Sequence, residues 1–250
     1  MLTDEERERY NRQIISPSIG EKGQEKLGKI RILQIGAGGL GSPFALYIVA
    51  AGIKELTIID NDVVSLSNLQ RQILYSEKQI GMAKVNAAKS NLEEHNSDVE
   101  INTYKDFIDD TSIKKYTNEK NYDFIVDCSD NFKTKFLVNR TAINNDIKCV
   151  IAGIKDFYGQ IMSIDPKKSA CYQCVFNEPL QPQGEMSPLP VIGVTPGILG
   201  TLEALEVIKT TLGLPNLENK LLMVNLLNLK FDTIDLVKNE KCICSQEIKK

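Results

Sequence analysis

A β-rich apolar run, KIRILQI (29–35), leads directly into Gly36-Ala37-Gly38-Gly39-Leu40-Gly41, and a mostly apolar, helical stretch occupies 39–51. Gly36, Gly38 and Gly41 stand at the GxGxxG spacing. Glycines so placed allow a tight turn and bring backbone N–H groups and a helix N-terminus close to phosphate oxygens. Asp60 closes the next β-rich run, ELTIID (55–60). A carboxylate there can accept hydrogen bonds from ribose hydroxyls. Alone, GxGxxG is a weak signal, and a packing turn without ligand is the bland alternative. Its strand–turn–helix setting and the acidic partner favour a nucleotide site, with the nucleotide itself left open.

Beyond Asp60 the sequence continues Asn61-Asp62-Val63-Val64-Ser65-Leu66-Ser67-Asn68-Leu69-Gln70-Arg71-Gln72. A dehydrogenase has little use for this density of amides and arginine, whereas a polyphosphate site does. Arg71 offers a planar fork of donors to phosphate oxygens, and Asn68 and Gln72 can orient a triphosphate. Lys84, in GMAK, adds a point charge at the start of a helix. Asp130 ends DFIVDCSD (123–130), at the edge where open α/β sheets bind ligands, and has the hard oxygen donors that Mg²⁺ prefers. Taken singly, Arg71 and Lys84 also read as solvated charges and Asp130 as a helix N-cap.

The cysteines form a third group. Cys171-Tyr172-Gln173-Cys174 is a CxxC half-site of the kind that holds tetrahedral zinc, and Cys242 and Cys244 can complete a Cys₄ structural site. Cys128 and Cys149 fall in apolar runs and read as small buried hydrophobes. The single histidine, His95, ends a helical stretch, where it reads as a cap or surface residue.

These residues need a scaffold, and the chain supplies one. At 250 residues it holds one large domain or two small ones, at roughly 100–200 residues per domain. Its 42% hydrophobic and 25% charged residues are ordinary for a globular protein. Thr3 and Glu6 form a capping box that starts a short helix to about Asn11, and a second helix is predicted over Ile19–Leu27. After the first βαβ unit come a helix (82–94), strands at VEINTY and DFIVDCSD, a helix from Asn131 to Asn144, and a strand at KCVIAGI (148–154). That alternation predicts a Rossmann-like, doubly wound α/β sheet, mainly parallel. FYGQIMSID (157–165) predicts an antiparallel addition, and 177–190, with four of the nine prolines, a crossover loop. A helix from Pro196 to Leu212, with Ile198, Leu202, Leu205, Ile208 and Leu212 on its apolar face, and strands near 220–228 and 229–237 finish the fold. A net charge of −3 gives no basic excess for nucleic acid, no run is long and apolar enough to cross a membrane, and the charged start lacks a signal-peptide core. The expected compartment is the cytoplasm.

Together, RYNRQI (9–14), GAGGLGSP (36–43), the Asp60–Gln72 segment ending SNLQRQ, GMAK (81–84), DCSDN (127–131), GQ (159–160), CYQC (171–174) and VIGVTPGILGTLEALEVIK (191–209) resemble the ThiF/MoeB/HesA family of ubiquitin-activating-enzyme-like adenylyltransferases. The resemblance implies ATP-dependent adenylation of the Gly-Gly tail of a small ubiquitin-like sulfur-carrier protein, as in thiamine or molybdopterin biosynthesis, with release of pyrophosphate. It implies that the turn Gly36, Gly38, Gly39 and Gly41 holds ATP, that Asp60 holds the ribose, and that Ser67, Asn68, Gln72 and Asn131 belong to the nucleotide site. By the same resemblance, Arg71 and Lys84 are expected to neutralise phosphates, Asp130 to bind Mg²⁺, and Arg12 to reach the ATP of a neighbouring subunit, which implies a homodimer. Zn²⁺ at Cys171, Cys174, Cys242 and Cys244 follows the family pattern, except that the second pair is one residue shorter than the usual CxxC. The domain plan is then one adenylation unit over 1–250: N-terminal helices (1–28), nucleotide-binding βα units (29–154), and an antiparallel extension (155–250) with the crossover loop and the zinc-tied C-terminus.

Some family members carry a cysteine in the crossover loop that links covalently to the carrier. Here Gly184–Pro190 has no thiol, and little sequence follows Cys244, so a separate sulfur donor is expected to act on the acyl-adenylate. Alternatives stay open at this point. The same chemistry can serve a peptide carboxylate or a tRNA base. A nicotinamide-dependent oxidoreductase would need a proton donor, and no well-placed histidine is present for that role. A non-catalytic scaffold would have no need of the Arg12, Arg71, Lys84 and Asp130 set.

Overall fold

The structure is a computed structural model and describes residues 1–178 and 190–245. Eight strands form one sheet in the order β3-β2-β1-β4-β5-β6-β7-β8. β1 (Arg31–Ile35), β2 (Glu55–Ile59), β3 (Glu100–Tyr104), β4 (Phe124–Asp127) and β5 (Lys148–Lys155) are parallel. β6 (Tyr158–Ile164), β7 (Lys220–Asn225) and β8 (Lys230–Asp235) run antiparallel, as the sequence predicts for the C-terminal part.

The inner parallel strands are largely apolar on both faces because helices cover both, while β3 at the edge buries only Ile101. Alternate residues feed separate cores, as a period of two requires. Ile32, Leu56, Ile58 and Val126 join the core beneath α3 (Gly20–Leu27), α4 (Gly41–Ala50), α5 (Lys84–His95) and α9 (Val194–Leu212). Leu33, Ile35, Ile59 and Ile125 join the opposite core beneath α6 (Ser112–Glu119), α7 (Phe132–Asn145) and α8 (Tyr172–Val175). α1 (Asp4–Arg9) starts at the expected capping box: Glu6 N–H donates to Thr3 Oγ1 at 3.1 Å, and Thr3 N–H to Glu6 Oε2 at 2.7 Å. The short α2 (Asn11–Ile14) follows it.

Several expectations need correction. Cys128 is buried but lies outside any strand, because β4 ends at Asp127 and the chain turns there. α4 starts at Gly41, two residues later than read, since Gly39 and Leu40 still belong to the glycine turn. α6 and α8 went unread, because a short helix such as SIKKYTNE shows only Ile113, Tyr116 and Thr117 to the core. The apolar stripe read on α9 is only partly its buried face: Leu202, Ile208 and Leu212 pack, partly buried, against the core. Ile198 and Leu205 are exposed, while Leu199, Ala204, Val207 and two glutamates, Glu203 and Glu206, face the sheet. The helix is apolar around most of its circumference, so periodicity alone could not choose a side. Most of the crossover loop read at 177–190 lies outside the described residues.

Candidate nucleotide site and four-cysteine cluster

From β3, at one edge of the parallel sheet, the chain returns to β4 on the other side of β1. The carboxyl ends of β1 and β4 therefore mark the place where the strand order reverses, the usual ligand crevice of such sheets. The two loops there touch. Gly36 has φ +95°, and a Cβ on it would lie 2.9 Å from the Cys128 carbonyl oxygen, so only glycine fits. Gly41 packs the first turn of α4 onto the loop: a Cβ there would be 2.3 Å from Gly36 O. Gly38 differs, since its nearest neighbour would be Gln72 Nε2 at 3.6 Å, which leaves room for a ligand to approach the backbone.

Buried polar groups that sequence reasoning missed hold this turn. Gln34 Nε2 donates to Gly36 O at 2.8 Å and to Gly41 O at 3.2 Å, and Tyr75 OH donates to Ala37 O at 2.8 Å. Burial, with Asp60 and Asp62 nearby, pushes the Tyr75 phenol far up, so it stays a donor. Gln34 was legible in principle, because an amide inside the apolar run RILQI must find partners.

Asp60 follows β2 directly and accepts from Ala37 N–H and Asp62 N–H, both at 2.8 Å, which fixes its carboxylate beside the glycine turn. Lys84 opens α5 with its ammonium 2.8 Å from Asp62 Oδ2; the lysine side chain is 5% exposed, the aspartate 61%. Ser67 and Asn68 form a 3₁₀ turn at Leu66–Asn68, and Arg71, half-buried, donates to Ser67 O at 3.1 Å. The Arg71 stem lies against Gly39, with Cγ 3.5 Å from a Cβ placed there. Gln72 is buried, and its Oε1 has no hydrogen-bond partner among the described residues. The start of α9 closes over this segment: Pro196 carbons lie 3.1 Å from a Cβ on Gly39, and one on Gly193 would meet Gln70 O at 2.2 Å.

Asp130 is exposed on the link after β4. Asn131, not Asp130, caps α7, accepting from Thr134 N–H at 2.9 Å. Below the link lies a charge network the sequence did not announce. Lys135 Nζ is 2.7 Å from Asp127 Oδ2, and both groups are buried. Glu203 of α9 lies near them with Cys128 Sγ–H directed at its Oε2, 3.7 Å away. Burial, then the Asp127 charge, pushes the Glu203 carboxyl well above the usual range; burial raises Asp127 too, against the lowering by its Lys135 partner. Burial likewise raises the Cys128 and Cys149 thiols, consistent with inert core residues.

One assigned residue does not join the site. Arg12 sits on α2, and the adjacent Gln13 donates to Ala51 O, at the C-terminal end of α4, at 3.3 Å. The glycine turn is at the other end of that 10-residue helix, about 15 Å away at 1.5 Å per residue.

The four cysteines do come together, on the α7 face of the sheet. Their sulfurs lie within 4.8 Å of one another, with Cys171–Cys242 and Cys174–Cys244 both at 3.4 Å and Cys171–Cys174 at 3.9 Å. Zn–S bonds of about 2.3 Å in a tetrahedron put sulfurs about 3.8 Å apart, so the donor set fits zinc in kind and spacing. Asn139 of α7 orients the cluster, donating to Cys171 Sγ at 3.6 Å and accepting from Tyr172 N–H at 2.9 Å. The shortened Cys242-Ile243-Cys244 pair is accommodated by a 3₁₀ turn at Ile243–Ser245.

With the glycine turn, its acidic partner and the four sulfurs in place, comparison with known proteins is decisive. The ThiF family profile matches residues 10–245. The chain belongs to the ThiF family. It is 35% identical over 254 residues to a Thermus thermophilus sulfur carrier protein adenylyltransferase, covering 98% of this chain and 93% of that one. It is 38% identical over 251 residues to the Xenopus laevis adenylyltransferase and sulfurtransferase MOCS3, covering 98% of this chain and 55% of the relative. This ThiF-family chain thus spans about half the length of the MOCS3 relatives it matches. In fold it is similar to Escherichia coli MccB solved with ATP, with TM-score 0.79 and 23% identity over 89% of this chain and 68% of that one. No helix among the described residues is long and apolar enough to cross a membrane.

Proposed function

We propose that this chain adenylates the C-terminal glycine of a small ubiquitin-like sulfur carrier with ATP, releasing pyrophosphate. The observation that carries the reading is the convergence of the open Gly38 backbone, Asp60, Arg71 and the Asp62-held Lys84 on one crevice that, among the described residues, offers cations and amides but no activated nucleophile. A carboxylate is already ionised at neutral pH. It needs alignment and charge stabilisation, not a general base.

In the step itself, a carboxylate oxygen of the carrier tail bonds to the α-phosphorus, and the bond from that phosphorus to the oxygen bridging to the β-phosphate breaks. The electron pair leaves with pyrophosphate. The glycine-turn backbone receives the phosphates, Asp60 orients the ribose, and Asn68, Ser67, Gln72 and Asn131 border the nucleotide. The buried Gln72 Oε1, an acceptor with no partner among the described residues, suits a donor group of the nucleotide. Arg71 and Lys84 offset the charge that grows on the leaving group. Asp130 would hold Mg²⁺, which supplies further neutralisation of the phosphates when bound. Zinc at the four cysteines would have a structural part.

The distance of Arg12 from its own crevice supports a homodimer in which it completes the partner's site. An exposed apolar strip on α9, including Val194, Ile198 and Leu205, offers surface for such an association. Because Gly184–Pro190 contains no thiol, sulfur would reach the acyl-adenylate from a separate donor. The test is carrier-dependent exchange of labelled pyrophosphate into ATP. Wild type exchanges and Asp130→Ala does not; full exchange in that variant defeats the assignment.

A further inference from the structure

Asp130 occupies a three-residue link, Cys128–Asp130, between β4 and the α7 cap, and no side chain among the described residues is bonded to its carboxylate. Its position therefore depends on what holds the backbone of that link. Lys135, from the first turn of α7 and 5% exposed, turns its ammonium back beneath it. Nζ lies 2.7 Å from Asp127 Oδ2, 2.9 Å from Ser129 O and 2.6 Å from Ala152 O. An ammonium has three donors, and all three are used on three different chain segments. The second Asp127 oxygen accepts from Ser129 Oγ at 2.7 Å and faces Ser129 N–H at 3.4 Å. Ser129 is thus held at its amide, hydroxyl and carbonyl, one peptide before Asp130. On the other side the Cys128 carbonyl rests against Gly36, which sets the link in register with the glycine turn.

A buried ion pair is weak evidence for stability, because desolvation offsets much of its attraction and apolar residues often do as well. What this pair does supply is a fixed geometry, tying the end of β4 and the middle of β5 to the carbonyl preceding Asp130. We propose that Lys135, paired with Asp127, is the positioning residue that aims Asp130 at the nucleotide phosphates. The inference rests on the proposed role of Asp130 in holding Mg²⁺.

Two readouts test it: equilibrium binding of α,β-methylene-ATP across a Mg²⁺ titration, by calorimetry, and pyrophosphate exchange. Circular dichroism and thermal melting monitor the fold. In Lys135→Met, Mg²⁺-free affinity for the analogue should stay within threefold of wild type, while the Mg²⁺ concentration for half-maximal tightening rises at least tenfold. Lys135→Arg, which keeps the charge and enough donors, should reverse most of that shift. The Asp127→Asn/Lys135→Met variant, which strands no charge, should behave as Lys135→Met does. Unchanged Mg²⁺ dependence in folded Lys135→Met overturns the inference, as does failure of both Met variants to fold, which would make the pair purely structural. Asp130→Ala run alongside separates the two claims. If it keeps wild-type Mg²⁺ dependence, the Asp130 assignment fails; if it loses it while Lys135→Met does not, only the positioning role fails.

Discussion

Two glycines of the same turn should respond oppositely to one added methyl group. In Gly41→Ala the new Cβ would stand 2.3 Å from Gly36 O and 2.6 Å from Gln34 Nε2, both far inside contact distance. α4 must retreat from the loop, at an overpacking cost of about 1–3 kcal/mol. The retreat also weakens the two Gln34 hydrogen bonds to Gly36 O and Gly41 O, at about 1 kcal/mol each. Against this stands a gain of roughly 0.4–1 kcal/mol from replacing glycine in a helix. The net loss is about 2–4 kcal/mol, and at about 2–4 °C per kcal/mol the melting temperature should fall by roughly 4–16 °C. Gly38→Ala meets nothing in the protein nearer than 3.6 Å, and Gly38 is not among the positive-φ glycines, so stability should change by less than about 1 kcal/mol. Its methyl group would enter the space left for phosphate, and ATP affinity should drop tenfold or more, about 1.4 kcal/mol. Urea or thermal unfolding measures the first effect and equilibrium nucleotide binding the second. Wild-type melting of Gly41→Ala, or wild-type ATP binding by Gly38→Ala, would refute this division of labour.

Three further outcomes are expected. Metal analysis of protein purified without chelator should find about one zinc per chain, and zinc binding to the stripped protein should release protons: burial, with their cysteine neighbours, raises the Cys171 thiol well up and the Cys244 thiol to about 11. Calorimetry in buffers of different ionisation enthalpy reads that release, and a proton count of zero contradicts it. For Glu203, the raised folded-state pKa means the native protein holds a proton that the unfolded chain gives up above about pH 4.5, so its contribution to stability declines as pH rises from there. Glu203→Gln should flatten that decline in melting temperature between about pH 5 and pH 8; an identical slope would show Glu203 to be ionised. Finally, mixing Arg12→Ala with Asp130→Ala subunits, each inactive alone, should recover about a quarter of wild-type exchange, since each mixed C₂ dimer regains one complete site. No recovery after verified subunit exchange would place Arg12 outside the partner's site.

The parts of this protein readable in one dimension are those whose physics is local. Short apolar runs ending in glycine or aspartate mark parallel strands buried on both faces, and β1, β2, β4 and β5 lie where KIRILQI, ELTIID, DFIVDCSD and KCVIAGI place them. The four cysteines were equally legible, because thiols at short spacing have few other uses. Side chains serving the site from below were not. Asp127 and Lys135 are eight residues apart on different elements, and nothing in DCSDNFKTK says that the lysine folds back under the strand end. The buried acids of α9 misled the reading in a different way. Glu203 and Glu206 look like solvent-facing residues, yet Glu206 accepts from Ser163 Oγ at 2.8 Å and from Leu217 N–H at 2.7 Å, and Glu203 faces Cys128. Such partners come from distant strands and loops, and only the assembled sheet supplies them.

The cysteine cluster has a mechanical consequence. Among the described residues β8 is an edge strand paired with β7 alone, with every residue exposed, and a pull on the chain near Ser245 would ordinarily peel it away first. With a metal joining the four sulfurs, that pull is carried instead from Cys242 and Cys244 into Cys171 and Cys174, 71 and 70 residues earlier in the chain, and on through Asn139 into α7. Tension bypasses the weakest strand and reaches the helix whose first turn holds Lys135. Under load, the metal-bound protein should yield in one step at high force, and the stripped protein in two, with β8 unzipping before the rest.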